Sequence, residues 1–228
     1  MTSTPSRFTP AALLAALALA ACSGVSPAPR ASPQPATPNE SETTAIARAR
    51  ADSARHPYIQ ADVDFMSHMI GHHAQAIVMS GWAPTHGASN SVRILAERII
   101  NAQQDEIASM QRWLRNRGKP VPEARPTPMK MKMDGMEHEM LMPGMLTEAQ
   151  MKELDQARGE QFDRLFLTYM IQHHQGAVTM VKDLFATAGA AQDETVFKFA
   201  SDVNVDQSTE IARMERMLSA QPAATPSQ

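Results

Sequence analysis

Asp62-Val-Asp-Phe65-Met66-Ser-His68-Met69-Ile70-Gly-His72-His73-Ala-Gln-Ala76-Ile77-Val-Met79 has a second copy further along the chain. That copy reads Asp163-Arg-Leu-Phe166-Leu-Thr-Tyr169-Met170-Ile171-Gln-His173-His174-Gln-Gly-Ala177-Val178-Thr-Met180. A repeat of this length is one supersecondary unit used twice. Each copy is followed by a second shared segment, Gln103-x-x-Glu106-Ile107-x-x-Met110 to Leu114, then Gln207-x-x-Glu210-Ile211-x-x-Met214 to Leu218. Apolar residues recur at three- and four-residue steps: Phe65, Met69, Ile70 and Ile77 in one segment, Ile99, Ile107, Met110 and Leu114 in the next. This is helical periodicity. A hairpin of two such helices cannot bury its apolar stripe alone, so the pattern predicts an all-α fold, a four-helix bundle made of two repeated helical hairpins.

Breakers set the boundaries. Pro84, Gly87 and Ser89 separate the first helix pair, and Gly118, Pro120 and Pro122 end the second helix. Thr147 with Gln150 reads as a capping box opening the third helix. Gly189 with Gln192-Asp193 marks the last turn. The expected hairpins are 58–118 and 147–219, with a linker over 119–146 and a disordered tail over 220–228. Pro126, Pro128, Gly135, Pro143 and Gly144 argue against a regular helix in the linker, which reads as a Met-rich loop.

Residues 1–21 read as an export signal. Arg7 supplies the positive end, Ala11 to Ala21 form an apolar run too short to span a bilayer, and small residues close it. Leu19-Ala20-Ala21-Cys22 resembles a bacterial lipobox, which implies lipidation at Cys22 and a periplasmic or cell-surface lipoprotein. Cys22 is the only cysteine in the chain, so an intramolecular disulfide is excluded. The Pro/Ala/Ser/Thr-rich stretch that follows predicts a flexible tether over 22–57. A net charge of −3 without a basic run points away from nucleic acid. The membrane is reached only through the lipid anchor.

On a helix, Met69 lies three residues before His72 and four before His73, and Met79 follows two turns after His72. Met170, His173, His174 and Met180 repeat this. A bundle that joins the two faces predicts up to four imidazoles with thioethers nearby. Imidazole and thioether are borderline and soft donors, which suit Cu(I), with Ag(I) as its mimic, better than oxygen-seeking cations. Zinc is disfavoured because no cysteine remains for a Cys-type site. The predicted ligands are therefore His72, His73, Met69, Met79, His173, His174, Met170 and Met180. Glu106, Glu210, Gln103 and Gln207 are expected as hydrogen-bond partners that orient the imidazoles. Spacing leaves direct ligation by the two glutamates open.

A second set of candidate ligands comprises His68, Met110, Met214 and the linker residues. The linker contributes Met129, Met131, Met133, Met136, His138, Met140, Met142 and Met145. Seven methionines within 17 residues and no core to fill predict a flexible soft-metal trap. Met66, Met151 and Met217 read as core filler. His56 and His86, beside Pro57 and Gly87, read as surface residues, and Asp62 and Asp163 as caps or ion-pair partners.

Met69-Ile70-Gly-His72-His73 and Met170-Ile171-Gln-His173-His174, each followed by Ala-[Ile/Val]-x-Met, resemble the domain-of-unknown-function 305 family. So does Gly144-Met145-Leu146-Thr147 leading into Phe162-Asp163-x-x-Phe166-Leu167. The resemblance covers about Tyr58 to Leu218. It implies a ferritin-like four-helix bundle, export and, for some members, copper binding and copper or silver tolerance. His68 is Tyr169 in the second copy, so the halves need not bind metal equally.

The leading expectation is a non-enzymatic copper buffer or chaperone with a copper-delivery partner protein. A ferritin-like di-iron oxidase is an alternative, but that site needs Glu-x-x-His motifs and more glutamates, and none of the four paired histidines has a Glu three residues before it. The remaining alternative is a structural or partner-binding bundle without metal.

Overall fold

Both His-His segments and both Gln/Glu/Met segments are helical. The structure, a computed structural model, describes residues 40–55, 57–133 and 136–221. The elements are α1 (Glu40–Arg55), α2 (Gln60–Gly81), α3 (Asn90–Asn116), β1 (Met129–Met133), β2 (Met136–Met140), α4 (Glu148–Gln156), α5 (Gly159–Ala186) and α6 (Glu194–Ser219). The export signal, Cys22, residues 23–39 of the expected tether, His56 and residues 222–228 lie outside the described residues.

Helix α2 packs against α3, α5 against α6, and the two hairpins meet through α2 and α5. The all-α bundle of two repeated hairpins is the observed architecture. Its two apolar clusters exchange repeat-equivalent residues. One holds Met69 and Met110 of the first repeat against the partly buried Met180 of the second. The other holds Met170 and Met214 of the second repeat with Met79 of the first. The turn contacts are exchanged in the same way. Asp62, at the start of α2, accepts from Ile59 N at 2.8 Å and from Ala191 N, in the turn of the second hairpin, at 2.7 Å. Its equivalent Asp163 accepts from Ser89 N, in the turn of the first hairpin, at 3.1 Å and 3.2 Å. Both aspartates are therefore turn caps that bind one repeat to the other.

Three expectations need correction. The stretch taken as the end of the tether is helix α1, packed on α3. Proline richness stops at Pro38, and Glu40 to Arg55 is mostly Ala, Arg, Glu, Thr and Ser without a proline. Ala, Arg and Glu are strong helix formers. The Thr147–Gln150 capping box is present, but it opens the nine-residue α4. The third bundle helix starts only at Gly159, whose φ of 58° allows the reversal and whose N–H reaches His86 O at 2.9 Å. A capping box marks where a helix starts; where it ends is set by tertiary contacts.

The linker is the third correction. It contains a two-stranded antiparallel ribbon, β1–β2. The signal was legible: Met129-Lys-Met-Lys-Met133 and Met136-Glu-His-Glu-Met140 both alternate with the period of a strand, and Asp134-Gly135 between them is a dipeptide favoured in two-residue hairpin connections. The ribbon's roots lie on the two His-His helices. Backbone at Arg125 and Thr127 runs across Gly71 of α2, where an added Cβ would sit 3.3 Å from Thr127 O. Pro143 and Gly144 lie on Gly176 of α5, where an added Cβ would sit 1.9 Å from Pro143 O.

Candidate metal centre

His72 and His173, equivalent residues of the repeat, meet where α2 crosses α5, with ring centroids 3.9 Å apart and planes tilted by 37°. Neither ring has solvent exposure. His72 Nε2 lies 3.0 Å from Pro143 O, and His173 Nε2 lies 3.0 Å from His72 O. A carbonyl oxygen only accepts, so both rings carry their proton on Nε2 and leave a bare lone pair on Nδ1. Burial, reinforced by the neighbouring His73 ring, pushes His72 down to about 3. Burial, with the His72 and His174 rings adding to it, holds His173 well below the usual histidine range. Both are therefore neutral imidazoles, the state that ligates metal.

His73 and His174 turn outward to the second helix of their own hairpin. His73 Nε2 meets Glu106 Oε2 at 2.6 Å, and His174 Nε2 meets Glu210 Oε2 at 2.7 Å. The ring centroids of His72 and His73 are 6.3 Å apart, those of His173 and His174 6.2 Å. The expected gathering of four imidazoles is therefore a close central pair with one ring on each side. Two residues adjacent on a helix point about 100° apart, so neighbouring histidines cannot both face the crossing.

Nδ1 of all four histidines is buried without a protein partner, and so are the side-chain amides of Gln103 and the amide oxygen of Gln207. Most buried polar groups in folded proteins are hydrogen-bonded, so unpartnered atoms recurring at equivalent positions of a repeat are candidate positions for a ligand. Among the described residues no three His, Cys, Asp or Glu side chains converge as a ready-made metal cluster.

Sulfur is at hand by position. Met69 lies four residues before His73 on α2, and Met110 four residues after Glu106 on α3; both are fully buried in one apolar cluster. Met170 and Met214 hold the same places relative to His174 and Glu210, and Met79 joins them. Met180 is only partly buried. Apolar burial worth roughly 1.5–3 kcal/mol per side chain accounts for these positions without any metal. Met66 is likewise core in the first cluster, and Met151 and Met217 pack at the edge of the second.

The other candidates lie apart from the crossing. His68 is half-buried in a cleft of about 470 Å³ between α2 and the outgoing arm of the linker, which Met129 also lines. Burial lowers its pKa, opposed by Asp64. Tyr169, its counterpart, donates its hydroxyl proton to Glu153 of α4. His86 is buried, not on the surface: Nε2 reaches Asp155 O at 2.8 Å, and the ring lies against Phe162. Beside Gly87 it looked exposed in sequence, but Asp155 of α4 and Phe162 of α5 cover it.

Sequence reading missed the strap that closes the centre. Met142 and Met145 are buried on either side of Pro143-Gly144. Gln75 clamps the next residue, donating to Leu146 O at 3.0 Å and accepting from Leu146 N at 2.7 Å, while Gln172 Nε2 donates to Gly144 O at 3.3 Å. Gly144, with φ 75°, and Gly176 permit the close approach. The available signal was this pair of glycines, one beside the second His pair and one in Pro143-Gly144-Met145-Leu146.

The search of curated proteins finds no match. Among solved structures, a DUF305 protein of Streptomyces coelicolor described as secreted is 30% identical, over 72% of this chain and 98% of that one, with a TM-score of 0.59. A DUF305 fragment from Deinococcus radiodurans is also 30% identical, over 72% and 99%, with a TM-score of 0.59. CopM in its Cu(I)-bound form is 29% identical, over 69% and 95%, with a TM-score of 0.52. Cu(II)-bound and Ag-bound forms of CopM match as well. The family described as "Domain of unknown function (DUF305)" matches residues 62–218. That span runs from the buried turn cap Asp62 to the end of the second repeated pattern, so the duplicated His-His hairpin is the matched domain and this chain belongs to the DUF305 family.

Proposed function

We propose that this chain binds Cu(I), with Ag(I) as its mimic, and serves copper homeostasis or tolerance as a buffer or chaperone. The observation that carries the reading is the set of four buried Nδ1 atoms without protein partners, repeated at equivalent positions, whose rings are anchored through Nε2. A ligating histidine that donates its other ring proton to a carboxylate or carbonyl is held in the right tautomer and orientation. His73 and His174 have this anchor in Glu106 and Glu210, with Met69, Met110, Met170 and Met214 as the nearest sulfur candidates by position. His72 and His173 have it in backbone carbonyls. Structures of CopM with Cu(I), Cu(II) and Ag support the choice of metal.

A di-iron oxidase needs a carboxylate-rich centre. Here Glu106 and Glu210 each hold a histidine, which favours binding over oxidation chemistry. Export, lipid attachment at Cys22 and a copper-delivery partner belong to the same proposal; the secreted description of the Streptomyces coelicolor relative supports the first of these.

Anaerobic competition titrations with Cu(I), Ag(I), Zn(II) and Fe(II) test the reading. Cu(I) and Ag(I) should bind most tightly, and the Glu106→Gln/Glu210→Gln variant should bind them about 10–100-fold more weakly. Cu(I) and Ag(I) binding no tighter than that of the competing buffer would overturn it.

A further inference from the structure

The ribbon in the linker is antiparallel with a fixed register: Met129 opposite Met140, Lys130 opposite Glu139, Met131 opposite His138, Lys132 opposite Glu137, and Met133 opposite Met136. Successive strand positions alternate between the two faces. This register therefore places Met129, Met131, Met133, Met136, His138 and Met140 on one face. The charged positions fall on the other, each lysine opposite a glutamate. Opposite charges in register stabilise a strand pair by roughly 0.2–1 kcal/mol each. In this register every position on one face is methionine or histidine, and every position on the other is lysine or glutamate. Met136 is 63% exposed and Met140 45% exposed, so neither is filling a core.

We propose that the Met/His face of the ribbon is a binding site for a soft monovalent metal ion, separate from the bundle centre. Directly opposed strand positions have Cβ atoms roughly 4.5–5.5 Å apart, within reach of two flexible thioether arms closing on one ion. The register sets His138 opposite Met131, between two all-methionine rungs. The proposal rests on the soft-metal reading above and replaces the flexible trap expected from sequence with an ordered face. Its roots lie against Gly71 and at Pro143–Gly144, the latter within hydrogen-bond distance of His72.

The test is titration of the purified chain with Ag(I), followed by NMR of methyl-labelled methionine, with Cu(I) competition under anaerobic conditions. One variant is Met131→Leu/Met133→Leu/Met136→Leu. Another exchanges neighbours without changing composition: Met131→Lys, Lys132→Met, Glu137→His and His138→Glu. The leucine variant should lose at least one equivalent of metal. The exchanged variant should bind that equivalent at least about tenfold more weakly, equal to about 1.4 kcal/mol. Far-UV circular dichroism should be unchanged in both, because the ribbon is outside the bundle core. If both variants bind as the parent does, the ribbon site is wrong while the bundle reading stands. If only the leucine variant loses metal, the ordered face is wrong and the methionines act as an unstructured donor set. A parent chain that binds neither ion removes the soft-metal reading and the ribbon site with it.

Discussion

Replacing Gly176 with alanine should destabilise the protein far more than the same change at Gly71, although both glycines lie inside helices next to a histidine pair. At Gly176 the new methyl group would sit 1.9 Å from Pro143 O, 2.4 Å from Pro143 C and 2.6 Å from Gly144 Cα. These are backbone atoms that cannot rotate away. Reaching an ordinary contact of 3.4 Å requires the strap to lift by about 1.5 Å. The hydrogen bond from His72 Nε2 to Pro143 O, now 3.0 Å, cannot survive that movement. Leaving a buried donor unmade costs about 1–3 kcal/mol, and partial exposure of Met142 and Met145 adds about 1–2 kcal/mol. The gain in helix propensity on replacing glycine is about 1 kcal/mol. The net expected loss is about 1–4 kcal/mol. At Gly71 the nearest atoms are Thr127 O at 3.3 Å and Thr127 N at 3.4 Å, a few tenths of an ångström from comfort. The propensity gain offsets that, and the change should stay within about 1 kcal/mol of zero. Urea unfolding of the metal-free variants, followed at 222 nm, measures both. Equal midpoints for Gly176→Ala and Gly71→Ala would refute the idea that the strap seals the histidine crossing.

The metal-free protein should lose stability in acid. The unfolded chain protonates its histidines near 6.5, whereas His72 is held at about 3 in the fold, so the unfolded state binds the extra proton between these values. Stability is present above pH 6.5 and falls as the pH drops, by about 2 kcal/mol at pH 5 for His72 alone, with His173 acting in the same direction; a urea midpoint unchanged between pH 7 and pH 5 would contradict this. Asp193→Ala should cost about 3–5 kcal/mol, because it strands buried Arg117 and removes the cap of α6 and the partner of Trp113 Nε1; thermal unfolding checks it. Asp62→Ala and Asp163→Ala should each cost about 1–3 kcal/mol, since each turn loses a buried acceptor. Unequal losses by more than that range would argue against the exchanged-cap symmetry.

Much of this was legible in the chain. The spacing of Phe65, Met69, Ile70 and Ile77, and its repetition from Phe166 onward, determined two amphipathic helical hairpins, because only a helical period keeps those residues on one stripe. The same repeat identified His72, His73, His173, His174, Glu106 and Glu210 as related positions. What each histidine faces was not legible, because it depends on how α2 crosses α5. That crossing separates a close central pair from two rings held by glutamates, and no local pattern encodes an interhelical angle. Linker composition suggested an unstructured loop, while its period-two alternation already contained the ribbon. The closure of Pro143-Gly144 over Gly176 belongs to the tertiary structure alone: its two glycines lie far apart in sequence, and only packing shows that each leaves room for the other's backbone.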